Sequence, residues 1–257
     1  MTMPVLFLGH GSPMNAIEDN AWSRAWRALG ERVRRPRAIL CVSAHWETPG
    51  PWLTGSAAPP TIHDFGGFPQ PLFDVRYPAP GDPALAQRVV DLLGEESFAR
   101  IHPERGLDHG AWSVLRPMYP QADIPIVQLG IDSRRPGPWH VALAQRLVPL
   151  RDEGVLVVAS GDIVHNLRLF DWNDQTPLPW ALRFRDRVNT LIRDGHLAAL
   201  ADWPALGEDA ALSIPTPEHY LPLLYALALA RDGDDLEFFN DDVIGSLSMT
   251  SLLIGHA

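Results

Sequence analysis

The chain carries a single cysteine, Cys41, among its 257 residues. That excludes an internal disulfide and any cysteine-built zinc cluster, and it fits a reducing compartment. Positive charge is also scarce: 21 Lys and Arg stand against 31 Asp and Glu, a formal charge of -10. Nucleic acid and anionic membranes both require a basic face, so neither is expected as a partner. The basic stretch Arg32, Arg34, Arg35, Arg37 is short and reads as a solvated rim before a strand. Long hydrophobic runs are missing too, and none reaches the ~20 residues that span a bilayer. Met1-Thr2-Met3-Pro4 leads directly into Val5-Leu6-Phe7-Leu8 with no charged or long apolar leader region. No signal peptide is therefore expected, and the cytoplasm is the expected location. Nucleotide-binding loops are lacking as well. Gly9-His10-Gly11 has no third glycine and runs into Pro13, so it is not a dinucleotide fingerprint, and no phosphate loop occurs. Ser12 and Ser160 lie outside any Gly-x-Ser-x-Gly elbow, which argues against a serine nucleophile.

What is present is the composition of a folded protein, with 46% hydrophobic and 20% charged residues. The length permits one large α/β domain or two small ones. No repeat, low-complexity tail or boundary divides the chain, so a single domain over residues 1–257 is expected. Short apolar runs closed by Gly, Ser or Pro read as buried strands of a parallel sheet. They are Val5 to Leu8, Ala38 to Ser43, Ile124 to Leu129, Val155 to Ala159 and a last one from Ser246 to Ile254. Between them, Leu85, Val89 and Leu92 share a helix face, as do Leu143, Leu147 and Leu150. Pro83 and Pro138 suit the starts of these helices, and further helices are expected over Trp180 to Arg193 and Tyr220 to Ala230. The alternation predicts an α/β fold: a mainly parallel central sheet with helices on both faces. The stretch from Thr48 to Pro80, rich in Pro and Gly, reads as a long functional loop or a small hairpin insertion. The nine tryptophans are assigned to packing rather than to a stacking platform.

Ten histidines carry the functional argument. His10, His45 and His165 each follow an apolar strand run closely. Ligands of open α/β sheets bind beyond the carboxyl ends of the strands, so the three can converge on one point. A lone histidine after a strand is usually an ordinary hydrogen-bonded residue. Three at one edge point instead to a metal site there, since neutral imidazole is the commonest ligand of mid-row metals. His219 stands at a helix start and His109 before another helix, while His63 lies in the long loop. Asp162, in Ser160-Gly161-Asp162, reads either as a turn residue or as the partner that orients a ligand histidine. His102, His140, His196 and His256 have helix-surface or terminal contexts and receive no role.

Several motifs resemble the class III extradiol ring-cleaving dioxygenases, most closely their 4,5-DOPA extradiol branch. They are Leu8-Gly9-His10-Gly11-Ser12-Pro13-Met14-Asn15, Ser43-Ala44-His45-Trp46, Pro60-Thr61-Ile62-His63-Asp64-Phe65-Gly66-Gly67-Phe68-Pro69 and Leu107-Asp108-His109-Gly110-Ala111-Trp112. Val164-His165-Asn166-Leu167, the run from Pro215 through His219 to Leu224, and Gly245-Ser246-Leu247-Ser248-Met249 continue the pattern almost to the end. The resemblance implies a mononuclear metal bound by His10 and His45. His219 is the preferred third ligand, with Glu218 as the alternative because related enzymes use a glutamate. It makes His165 either a further ligand or the catalytic base, and His109 a second histidine for proton transfer or substrate binding. His63 and the Gly66-Gly67 turn are placed to close over substrate. The implied reaction opens a catechol such as L-DOPA with O2 to a muconic semialdehyde. Fe(II) is expected for activity, and Zn(II) is compatible with the site in purified protein. A monomer or small homo-oligomer is compatible with this reading. Two other classes remain open: a zinc-dependent hydrolase, and a non-enzymatic metal-binding relative of the same fold.

Overall fold

A computed structural model describes residues 2–257. The strands are β1 (Val5–Gly9), β2 (Ala38–Glu47), β3 (Trp52–Thr54), β4 (Arg100–His102), β5 (Ile126–Ile131), β6 (Val155–Gly161), β7 (Leu236–Phe239), β8 (Val243–Ile244), β9 (Leu247–Ser248) and β10 (Ser251–Ile254). Eight of them form one sheet in the order β4-β3-β5-β2-β6-β1-β10-β7, and β8 pairs with β9 separately. The middle strands β5, β2, β6 and β1 are parallel to one another, whereas β3 pairs antiparallel with β5, β10 with β1 and β7 with β10. The helices are α1 (Ala21–Arg32), α2 (Gln70–Phe73), α3 (Pro83–Leu93), α4 (His109–Met118), α5 (Gly137–Gln145), α6 (Pro179–Arg193), α7 (Leu197–Ala201), α8 (Glu208–Ser213) and α9 (Leu221–Ala228).

Side chains of a strand alternate between faces, and the core divides accordingly. Val5, Phe7, Leu40, Val42, Val157 and Ala159 join one apolar layer with residues of α3, α5, α6 and α9. Leu6, Leu8, Ile39, Cys41, Leu156 and Val158 join a second layer with residues of α1 and α4. Both faces are covered, which is why these strands read as unbroken apolar runs. The four arginines near β2 are exposed, as the rim reading requires. Among the described residues, no helix is long and apolar enough to cross a membrane.

Several boundaries differ from expectation. β5 begins at Ile126 rather than Ile124, because Pro125 has no N–H for the ladder. The last strand divides: Leu247–Ser248 closes the small hairpin and only Ser251–Ile254 enters the sheet. Between them the chain turns, with the Met249 N–H donating to Asp242 O. Leu147 and Leu150 are buried but lie beyond α5, in a turn and a 3-10 segment containing Pro149, which cannot continue an α-helix. On α3, Leu85, Val89 and also Leu93 are buried, while Leu92 is half-buried and packs against the core. The stretch from Thr48 to Pro80 contributes β3 to the sheet and carries α2. His140 is not on a surface. It is fully buried, bonded at Nδ1 to Tyr225 Oη and at Nε2 to Asp132 O, and burial pushes its pKa down to about 4.

Arg151 is 1% exposed and ties the ends of the chain together. It donates to the carbonyls of Met3 and Leu229 and to both carboxylate oxygens of Asp234, the last at 2.6 and 2.9 Å. Burial raises the Asp234 pKa, but the Arg151 bond and its other partners outweigh that and leave it below the usual value. Replacing Arg151 with Met leaves buried acceptors unpaired and is expected to cost about 3–5 kcal/mol in urea unfolding. In the wild type, the share from Asp234 is present above its unfolded pKa of about 3.9 and is lost as pH falls through the lower folded value. Equal stability of Arg151→Met and wild type at pH 7 would refute this role.

Candidate metal and catalytic centre

The ladder register brings the histidines to one edge. Leu8, Ser160 and Ser43 lie side by side on β1, β6 and β2. One step past β1, the His10 N–H donates to Gly161 O at 3.2 Å. β2 is irregular here: from Val42 to Glu47 it advances five residues while β5 advances two, from Leu129 to Ile131. Such bulges re-aim a side chain, and His45 sits in this one. At the end of β6 the Asp162 N–H donates to His219 O at 2.8 Å. A Cβ on Gly161 would lie 2.2 Å from that oxygen, so only glycine lets the His219 segment approach. His165 follows, its N–H bonded to Ser213 O. His109 opens α4, whose N-cap is Asp108. A Cβ on Gly110 would meet Ser43 Oγ at 2.4 Å and His45 Cδ2 at 2.8 Å, so this glycine lets α4 start against His45.

The donor atoms of His10, His45 and His219 all lie within 4.8 Å of one another. His10 Nε2 and His45 Nε2 are 3.2 Å apart. Hydrogen bonds at Nδ1 set the tautomers of His10 and His219. Ser160 gives its only hydroxyl proton to Gly110 O at 2.6 Å, so its oxygen accepts from His10 Nδ1 at 3.0 Å. That leaves His10 Nε2 with a free lone pair. Glu218 Oε1 accepts from His219 Nδ1 at 3.0 Å and from Thr216 Oγ1 at 2.8 Å. His219 Nε2 is buried with no partner. Burial pushes the pKa values of His10, His45 and His219 well below the usual histidine value, and neighbouring histidines add to the effect. Three neutral imidazoles whose ring nitrogens converge in a largely buried pocket have the donor chemistry and spacing to hold a metal ion.

The other predicted residues surround this cluster. His165 lies flat on His219, with centroids 3.4 Å apart and planes at 4°, and burial lowers its pKa to about 4. The His109 ring lies against His45, tilted by 42° with centroids 3.8 Å apart, and its Nδ1 meets Asp64 Oδ1 at 2.9 Å. Asp64 also accepts the His109 backbone N–H. Burial pushes the Asp64 carboxyl up, but these bonds from His109 win and hold it below its usual value. His63 is set apart from the cluster. Its Nε2 donates to Val75 O at 3.0 Å, and its ring packs against Phe65, Phe73 and Trp112. Phe65 stands between it and the centre, 5.4 Å from the His109 ring. Glu218, the alternative third ligand, turns its carboxylate to the back of His219, and burial raises its pKa.

Sequence reasoning left several supporting residues without a role. Asp64 steadies His109 and Ser160 steadies His10. Asp108 accepts from Ser43 Oγ at 2.7 Å and Gln128 Nε2 at 2.8 Å, anchoring β2 beside His45. The only signal for Asp64 and Asp108 was their place next to histidines in the quoted motifs. Ser160 faces His10 only through the pairing of two strands 150 positions apart.

A mainly parallel α/β sheet with a buried polyhistidine cluster at its carboxyl edge defines the class of protein. Comparisons with known proteins agree. The family described as the catalytic LigB subunit of aromatic ring-opening dioxygenase matches residues 4–248. The chain is 51% identical over 260 residues to an Escherichia coli (strain K12) protein named 4,5-DOPA dioxygenase extradiol, covering 98% of this chain and 95% of that one. A Beta vulgaris protein of the same name is 38% identical over 249 residues, covering 94% and 92%. A crystal structure of an uncharacterized protein from Escherichia coli K12 superposes with a TM-score of 0.86 at 45% identity, covering 98% of this chain and all of that one. The chain belongs to the LigB family of aromatic ring-opening dioxygenases, and it is an oxidoreductase.

Gly161 links the fold to the centre. Gly161→Ala is expected to displace the His219 segment, to cost about 1–3 kcal/mol of stability and to weaken metal retention. Gly66→Ala, with nothing within 4 Å of the added methyl, serves as control. Thermal unfolding and metal titration that treat the two variants alike would overturn the role given to Gly161.

Proposed function

We propose that this dioxygenase opens a catechol ring beside its two hydroxyls, using a divalent metal held by His10, His45 and His219. The observation that carries the reading is the convergence of donor nitrogens from three desolvated rings. Ser160 and Glu218 engage the Nδ1 atoms of His10 and His219. A divalent metal held by these three histidines, ferrous iron being the ion expected for activity, would supply Lewis-acid and redox chemistry to the catecholate and O2. Zinc suits the same nitrogens and is the ion expected to compete in purified protein.

The residues of the chain do the rest. His165, uncharged at neutral pH because burial lowers its pKa to about 4, is the base that takes a catechol hydroxyl proton. Asp64 orients His109 through its Nδ1 and balances charge when that ring carries a proton. His109 is thus the second proton-handling group on the pocket wall. Phe65, Phe68, Phe73 and Trp112 give this side an apolar wall that excludes water from an aromatic substrate. Gly66 and Gly67 have open space around them, which suits a loop that closes over the ring, with His63 packed behind it. The names of the relatives favour L-DOPA or another catechol with a side chain, giving a muconic semialdehyde. A cytoplasmic monomer or small homo-oligomer fits this reading, and the proposed partners are the catechol and O2.

Anaerobic ferrous reconstitution followed by oxygen uptake with a panel of catechols tests the proposal. Uptake is expected only with iron, and full turnover with zinc and no oxygen would instead favour a hydrolase. Metal retention should fall far more in His219→Ala than in Glu218→Ala, and the reverse order would exchange their roles. His165→Gln should keep its iron while turnover falls by ~10²–10⁴-fold. The wild-type rate should decline in acid as His165 gains its proton, and this limb should vanish in the variant. Loss of iron from His165→Gln, with normal turnover restored by excess iron, would make His165 a ligand and shift the base to His109.

A further inference from the structure

Asp162 stands apart from every residue given a role so far. It is 1% exposed. Its Oδ1 accepts the Gly11 N–H at 3.2 Å, while its Oδ2 is buried without a hydrogen-bond partner. That free oxygen lies 3.4 Å from His10 Nε2. The carboxylate also falls within 4.8 Å of the donor atoms of His165 and His219.

His10 Nε2 carries no proton in the tautomer set by Ser160 and Gly110. A buried carboxylate oxygen therefore faces a nitrogen lone pair, an unfavourable arrangement that a positive centre between the two relieves. The distance fits a shared ion better than a shared proton. An O–H donor bonds its acceptor at about 2.5–3.0 Å, shorter than the gap observed. Two donors each ~2.1 Å from a shared ion, at 90–110°, lie about 3.0–3.4 Å apart. The His10–Asp162 gap of 3.4 Å and the His10–His45 gap of 3.2 Å both meet that requirement.

We infer that Asp162 is an anionic ligand of the resting metal site, binding through Oδ2 beside His10, so that the carboxylate comes from the end of β6 and not from Glu218. The inference rests on the metal centre proposed above. It concerns the substrate-free site, before catechol and O2 bind.

The test is an anaerobic titration of metal-free wild type and Asp162→Asn with Co(II), followed by calorimetry and the visible spectrum of the bound ion. The Zn(II) complex of the wild type is crystallised in parallel. Asn keeps the shape and the bond to Gly11 but loses the charge. Stoichiometric binding by wild type is expected, with affinity about 100-fold weaker in the variant and an altered Co(II) spectrum. In the crystal, Asp162 Oδ2 is expected at about 2.0–2.2 Å from zinc. Wild-type affinity and spectrum in Asp162→Asn, or an Oδ2 more than ~3 Å from zinc, overturn the inference and leave the histidine centre standing. Failure of wild type to bind Co(II) overturns the centre and the inference together. Should circular dichroism show the variant unfolded, the oxygen–zinc distance in the wild type decides alone.

Discussion

Backbone hydrogen bonds from β6 to both of its parallel neighbours hold Leu8, Ser160 and Ser43 in one row. A shift of one residue would turn every apolar side chain of a strand to the opposite face. The two covered faces of the sheet forbid that, so the register is locked by the same burial that stabilises the fold. His10, His45 and Asp162 inherit their positions from this row. Glycines at the strand ends then let other segments come close: Gly9 passes beneath the Met249 backbone and Gly161 beneath His219 O. The centre is thus built on strand ends, with its remaining members brought by segments that dock where a Cβ is absent.

Burial determines the chemistry of what is assembled there. Five histidines meet there, and for four of them, His10, His45, His165 and His219, desolvation is the leading cause of a lowered pKa. Neutral imidazole is the form that binds metals and accepts protons. The acidic groups divide the labour. Asp64 is held ionised against His109, while burial drives Asp162 well above its usual value when no cation is beside it. Hydrogen bonds from Ser160 and Glu218 then present the correct nitrogens.

Much of the fold was legible because its strands are buried on both faces. Val5 to Leu8, Ala38 to Ser43 and Val155 to Ala159 stand out as unbroken apolar runs, and Pro83 and Asp82 mark the start of α3. Legibility failed where local pattern and tertiary contact compete. His140 looks like any polar residue of a short helix, but its burial depends on Tyr225 and Asp132 from distant segments. The split of the last strand is equally invisible, since Ser248, Met249 and Thr250 are all compatible with a continuous strand. The main-chain bond of Met249 to Asp242 decides otherwise.

By itself, then, the sequence determined the fold class, the family and the histidines at the strand ends, because periodicity and short motifs are local properties of a chain. Only the tertiary structure decided which of those histidines share a point and which stand apart, as His63 does. It also decided which nitrogen of His10 is free, where the Glu218 carboxylate turns and that Asp162 faces into the cluster. These depend on strand order, on a three-residue irregularity in β2 and on close approach at Gly110 and Gly161. Each is a relation between segments far apart along the chain, set by the packing of the whole sheet and absent from any one motif.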